Sequence, residues 1–516
     1  MTTPSTTHHL SPHFHWRAIA AIAAAVFAIH VIVNLTSPYG VHRDEFLYLA
    51  MGEHLRLFGM DFPPLIAIVA RVERALFGDS LLAIRFFPAL VATGTIVLAG
   101  AIAREFGGGR FAQVTASLVV ALHPLFLRPG NLFQPVVFDQ FWWALCLFAL
   151  ARLRRTADDR WWLVLGAAGG FGLLTKFSIL ILGFALLAAL LLMWRDALTK
   201  RGPWLALAIA LVIGSPSLIG QITLGFPLAA QMAALNRQQL SHVTYWSFLG
   251  WQLLLGPSVL LALAGLVSLL RPAMREFRII GMTCAVAFAT VFLLRGKGYY
   301  IGPVYPTLFA AGAVWIARLG AGAMPFRTTV LTSVLTSVLL FDAIVLPIGL
   351  PFLPKERMAR YASALGIAEA TRTNRGTMLR LPQDYADMLG WKERAAMVAR
   401  VFDSLPPEKR AQAVIAGENY GEAGALEFYG PQLGLPGVVS AAGSYWFFGP
   451  GEKAGTVLIT LGVSREDLLR FYGVVTPAAR LTDDWTVEEE QDLTVYVAED
   501  PKQTLQELWP RLAGRN

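Results

Sequence analysis

Charge is scarce in this sequence. Only 15% of its 516 residues are Asp, Glu, Lys or Arg, against 55% hydrophobic residues, and the mean hydropathy is +0.53. So little charge cannot cover a water-soluble globule, which excludes an ordinary soluble enzyme and leaves a polytopic membrane protein. Cysteine is nearly absent too. Cys146 and Cys284 each sit inside an apolar run, so they read as small buried hydrophobes and exclude a disulfide framework. Acids (35) are outnumbered by bases (43), for a net charge of +8. The bases are dispersed between apolar segments, not gathered on one polar face. That excludes nucleic acid as a partner and gives them a topological role. Internal repeats and low-complexity tracts are missing as well.

What the sequence has is apolar runs. A span needs roughly 20 apolar residues, and about eleven runs come near that length: Ala18–Leu35, Leu81–Ile102, Phe111–Leu127, Phe138–Leu153, Trp161–Thr175, Ser178–Trp194, Trp204–Ile222, Ser247–Leu270, Ile279–Leu294, Val304–Ala317 and Val330–Leu350. With the amino terminus inside, alternation places Arg17, Arg104, Arg110, Arg152, Arg154, Arg155, Arg271, Arg275 and Arg318 on the inner side, as the positive-inside rule expects. The expected organisation is an inner tail (1–16), a transmembrane domain (17–354) and an outer soluble α/β domain (355–516). The first outer loop is 37–80. His8, His9, His13 and His15 read as part of a polar tail.

That first loop holds "YGVHRDEFLYLAMGEHLRLFGMDFPPLIAI", unusually charged for a segment between apolar helices. Leu47, Ala50, Met51, His54, Leu55 and Phe58 follow helical spacing, the pattern of an interfacial helix lying on an apolar surface. Asp44 and Glu45 then occupy its first turn, where capping and the helix dipole favour carboxylates. Capping accounts for one acid, not for the set. Asp61 precedes two prolines that end one helix and start the next. The same face receives Asp139, Arg128, Lys176 in its turn between two spans, and Arg295, Lys297, Tyr299 and Tyr300 of "RGKGYYIGPVYP". Cations on the side where topology disfavours them call for another cause. A carboxylate activating a nucleophile, with cations holding a departing lipid phosphate, supplies one. Each residue also has a plainer reading: capping for Asp44, Glu45, Asp61 and Asp139, and interfacial anchoring or snorkelling for Lys176, Lys297 and the tyrosines.

The motifs "RDE-x2-YLA", "MDFPPL", "DQ-x2-WAL", "GLLTKFS" and "GKGYYIGPVYP" together resemble the C-superfold membrane glycosyltransferases of family 39, the group of protein mannosyltransferases and the lipid A aminoarabinose transferase. The resemblance covers roughly Arg17 to Leu350. It implies transfer of a sugar from a polyprenyl-phosphate carrier to a lipid, glycan or protein acceptor at the outer face of the cytoplasmic membrane, usually with inversion. It makes Asp44, at the place of the family's first-loop acid, the expected general base, with Glu45 beside it as a second catalytic candidate, and places a second-loop acid at Asp139. Arg43, Asp61, Lys176, Arg295, Lys297, Tyr299 and Tyr300 are then candidate substrate-binding residues. No cofactor is expected: Phe62 stands where the aminoarabinose transferase has lysine before proline, so a divalent metal there is unsupported.

Beyond Lys355, "AQAVIAGENYG", "TVLITLGV" and "DLTVYVAED" read as strands, and "YADMLGWKERAAMVARVF" and "TLQELWPRL" as helices. The strand–turn–helix at "VIAGENYGEAGALEFYG" makes Asn419, Tyr420 and Glu422 candidates for an anionic or sugar ligand at a helix start; a ligand-free connection fits equally. Two other functions remain open. A secondary transporter would place its charges near mid-membrane beside broken helices, whereas here they gather at one face. A non-catalytic glycan-binding scaffold is the other. The orientation is directly testable: a reporter fused after Asn516 that is active only in the cytoplasm should stay silent, and a strong signal would reverse the predicted topology.

Overall fold

The computed structural model describes residues 12–320, 325–366, 373 and 376–512; His8 and His9 lie outside the described residues. Each apolar run is helical where described, but the count of about eleven crossings does not follow. Trp16–Thr36, Phe86–Glu105, Pro135–Thr156, Arg201–Thr223 and Gly298–Leu319 are long and apolar enough to cross a bilayer. Two further pairs are broken. Arg110–Leu122 meets Pro124–Gly130 at 61°, and Tyr245–Leu253 meets Ser258–Leu270 at 105°. Proline causes both breaks, at Pro124 and at Pro257 after the left-handed Gly256 (φ +59°). Counting each pair as one span gives seven. Arg160–Thr175, Ile179–Met193 and Arg278–Leu293 have 15 or 16 residues, short of the ~20 that a straight crossing needs.

These helices pack through small residues, as expected where lipid supplies no hydrophobic drive between them. A Cβ on Gly265 would lie 2.0 Å from the Leu308 carbonyl, and one on Gly312 2.1 Å from that of Leu261. Ser258–Leu270 and Tyr305–Gly320 therefore touch backbone to backbone.

After the last apolar helix, a five-stranded mixed sheet forms from β1 (Ala413–Gly417), β2 (Val438–Val439), β3 (Val457–Leu461), β4 (Tyr472–Thr482) and β5 (Asp492–Pro501), in the order β2-β1-β3-β5-β4. β1 runs parallel to β2 and β3, while β5 is antiparallel to β3 and β4. Three of the strands lie in the segments read as strands from sequence. β2 and β4 were not foreseen: one has two residues, and the other is an edge strand carrying Gly473 and Pro477, which disguise it. The helix Trp391–Ser404 covers the sheet with Ala395, Val398 and Val401.

The first loop departs from expectation. Its helix, Arg43–Glu53, ends at His54, so Leu55 and Phe58 lie beyond it. Phe46, Leu47, Leu49, Ala50 and Met51 are all buried, which makes it an enclosed element, not an interfacial helix with one wet face. It lies between the helices Leu65–Phe77 and Tyr420–Tyr429. Gly424 allows the second contact, because a Cβ there would sit 2.6 Å from that of Phe46.

Glu45 anchors this helix. Its oxygens accept from Arg85 Nε and Nη2, each at 2.7 Å, and from the backbone N–H groups of Phe133 and His42, also at 2.7 Å. Both side chains of the pair are 0% exposed. Arg85 further donates to the Gly40 carbonyl and Asn34 Oδ1. Breaking such a pair strands a buried charge, at a cost of about 3–5 kcal/mol. Arg85→Met should therefore destabilise by about that much in thermal unfolding, and Arg85→Met with Glu45→Gln, which leaves no buried charge and keeps an acceptor for a backbone N–H, should recover part of it. A single variant near wild-type stability would show that the pair is not the anchor.

Candidate functional site

Local backbone chemistry decides what Asp44 is free to do. The helix Arg43–Glu53 is capped by His42, whose Nδ1 accepts the Asp44 N–H at 3.1 Å, and Glu45 closes the capping box on the His42 N–H. The side chain of Asp44 takes no part in the cap. Its Oδ1 accepts from the Tyr420 hydroxyl at 2.9 Å and its Oδ2 from Gln134 Nε2 at 3.1 Å. Glu45, in contrast, is wholly enclosed by the contacts above. That corrects the reading of Glu45 as a second reacting acid: it sets where the helix begins.

Cations gather near Asp44. Lys297 donates to Gln239 Oε1 and lies 5.9 Å from the Tyr299 ring centre. Burial pulls its ammonium down to about 8, against the attraction of Asp44, with Lys176 adding repulsion. Lys176 caps the end of Arg160–Thr175, with its ammonium 5.4 Å from the Tyr300 ring centre. The rings of Tyr299 and Tyr300 meet edge to face at 4.9 Å. Asp139 is buried as the fifth residue of Pro135–Thr156, where it accepts from the Ser178 hydroxyl at 2.7 Å within electrostatic range of Lys176. Asp44, Asp139, Lys176, Lys297, Tyr299 and Tyr300, distant in sequence, thus share one neighbourhood.

Other candidates go elsewhere. Arg295 is exposed, in a left-handed turn, with its guanidinium over Tyr245 at 5.0 Å. Arg43 pairs with Glu489 and covers the Tyr420 ring at 5.1 Å. Asp61 caps no helix. Its carboxylate accepts from Ser444 at 2.8 Å and Gln231 at 3.1 Å, and its carbonyl from Gln221 at 2.7 Å, so it ties three segments together. The turn before Tyr420–Tyr429 offers no open anion cradle. Asn419 Oδ1 takes the Gly421 and Glu422 N–H groups, and buried Glu422 takes those of Glu418 and Asn419.

Among the described residues, one group has metal-like spacing: His42, Asp384 and Asp387, with ligand atoms within 4.8 Å of one another. The tautomer argues against ligation. Because Nδ1 of His42 accepts the Asp44 amide, the ring proton sits on Nε2, the atom that would have to ligate, 3.9 Å from each carboxylate and without a hydrogen-bond partner. Asp384 also pairs with Arg128.

Gln134, Arg85 and Asp387 belong to this neighbourhood and carried no sequence signal. All three act through contacts with residues at least 40 positions away, which a linear pattern does not reveal. Tyr420 was visible only as part of a turn.

Residues 61–219 match the family model "Dolichyl-phosphate-mannose-protein mannosyltransferase". The fold superposes on ArnT from Cupriavidus metallidurans bound to undecaprenyl phosphate with a TM-score of 0.60 and 17% identity, covering 93% of this chain and 97% of that one; the apo form gives the same values. The arabinofuranosyltransferase AftD from Mycobacteria matches with a TM-score of 0.50, 14% identity and coverage of 95% here and 40% there. An Archaeoglobus fulgidus oligosaccharyltransferase matches at 0.50 and 11%, covering 85% and 68%. No curated protein matches the sequence significantly. The resemblance to C-superfold membrane glycosyltransferases holds.

The electrostatics make a stability prediction. Burial pushes the Asp387 carboxyl up to about 6, against the pull of His42 and Arg43. A raised value in the folded state means that its contribution is complete below about pH 4 and lost as pH rises through about 6. Relative to Asp387→Asn, the wild type should lose about 3 kcal/mol between pH 4 and pH 7. Thermal unfolding of both across that range checks this, and parallel curves would refute it.

Proposed function

We propose that this chain, a membrane glycosyltransferase by fold and by its match to the mannosyltransferase model, moves a sugar from a polyprenyl-phosphate donor to the hydroxyl of a lipid, glycan or protein at the outer face of the cytoplasmic membrane. In this reading Asp44 is the general base. It accepts the proton of the acceptor hydroxyl as that oxygen bonds to the anomeric carbon, and the bond from this carbon to the phosphate oxygen breaks with its electron pair leaving on the phosphate. One displacement inverts the anomeric centre and requires no covalent intermediate on the protein. The phosphodiester becomes a monoester and gains one negative charge, so cations nearby stabilise the transition state more than the ground state. Lys297 and Lys176 supply that charge, and Tyr299 and Tyr300 supply hydroxyl donors.

The observation that carries this reading is the release of Asp44 from capping, its carboxylate standing within electrostatic range of Lys297. ArnT was solved with undecaprenyl phosphate bound, which accords with a polyprenyl-phosphate donor here. Asp139 joins the same group but is tied to Ser178, so it serves the placement of Lys176 better than proton transfer. Charges collected at one face disfavour a transporter, whose ionisable groups line a central path.

The test uses purified protein with undecaprenyl-phosphate mannose, glucose and aminoarabinose in turn, measuring release of undecaprenyl phosphate. Asp44→Asn should lower turnover by roughly 10² to 10⁴ with little change in stability, since the cap belongs to His42 and Glu45. Lys297→Ala should weaken donor use by about 1.5–3 kcal/mol. Near-normal turnover by Asp44→Asn would dismiss it as the base.

A further inference from the structure

Tyr420 comes from the far end of the sequence to meet Asp44, and four features fix it there. It opens the helix Tyr420–Tyr429, whose first turn is pinned by the Asn419–Glu422 capping box. Gly421 and Gly424 let that helix close on the first loop: a Cβ at either would lie 2.6 Å from Arg43 Cγ or Phe46 Cβ. The Arg43 guanidinium covers the phenol ring at 5.1 Å and is itself held by Glu489. Finally, the hydroxyl donates to Asp44 Oδ1 at 2.9 Å.

Burial, then the charge of Asp44, push the Tyr420 phenol far above its ordinary value. It therefore keeps its proton and serves as a permanent donor. Gln134 holds the other oxygen, Oδ2, at 3.1 Å. A carboxylate offers about four lone-pair sites, so these two bonds fix the carboxylate plane and leave sites for an incoming hydroxyl. A general base works only when its accepting lone pair meets the proton within hydrogen-bond reach, and small misplacements are costly.

We propose that Tyr420 is a positioning residue for sugar transfer, holding the Asp44 carboxylate in its accepting orientation, so that the C-terminal region is part of the reaction centre. This rests on the reading of Asp44 as general base. The competing account makes the Tyr420–Asp44 bond one tie among several between the same two helices. Another such tie is the His54–Glu427 bond at 2.9 Å, with Tyr445 also donating to Glu427.

The full chain in lipid nanodiscs, with whichever of the three undecaprenyl-phosphate sugars it consumes, separates the two. Tyr420→Phe keeps the ring under Arg43 and removes only the hydroxyl. It should lower kcat about ten- to hundredfold, with the donor KM within about twofold and unchanged thermal stability. In the Asp44→Asn background the same substitution should cost nothing further, because its target is gone. Glu427→Gln, which loosens the neighbouring tie without touching Asp44, should leave kcat unchanged. Full activity in Tyr420→Phe, an equal loss in Glu427→Gln, or an additive loss on top of Asp44→Asn would each overturn the proposal. If Asp44→Asn itself retains activity, the general-base reading falls first and takes this inference with it.

Discussion

The buried pair of Glu45 and Arg85 is the constraint on which the rest depends. Two fully enclosed charges persist only when every lone pair and N–H finds a partner, and here the partners come from four segments: the loop start at Gly40 and His42, the first span at Asn34, the second-loop residue Phe133, and Arg85 itself before the next span. Satisfying this one pair fixes the first loop against the membrane helices. A loop between spans would otherwise be among the least ordered parts of such a protein. Here its helix Arg43–Glu53 is largely enclosed.

That enclosure divides labour between adjacent residues. His42 and Glu45 close the cap of the Arg43–Glu53 helix, so neighbouring Asp44 keeps its carboxylate for contacts outside the helix. Arg43, one position earlier, turns to Glu489 and Tyr420. Four consecutive polar residues therefore point to four tasks: a cap, an anchor, a tie to the C-terminal region, and a carboxylate beside a cluster of cations. The C-terminal region closes over the last two.

Electrostatics follow from the same packing. Lys297 and Lys176 stand close enough to repel, and burial depresses Lys297 further. Such an arrangement costs free energy in the resting protein, a cost that an anionic group beside the two ammoniums would offset. Tyrosine rings beside each ammonium lower that cost through cation–π contact.

Much of this was legible in the sequence. Low charge and long apolar runs determined a helical membrane protein, because no other fold satisfies backbone groups in lipid with so few polar residues. The clustering of acids in the first loop marked the segment that holds the Glu45–Arg85 pair and Asp44, since charge near a membrane is retained only for cause. Composition also marked the change of character after Lys355. The sequence did not determine how many helices cross, because proline bends and short helices change crossing geometry without changing hydropathy. The charge pattern alone did not separate Asp44 from Glu45; the family resemblance favoured Asp44. Adjacent acids in a first turn look alike in one dimension, and only Arg85, 40 residues away, and Tyr420, 376 residues away, decide which is buried as an anchor and which stands beside the cations. Such long-range pairings depend on the positions of whole helices, so tertiary structure alone assigns them.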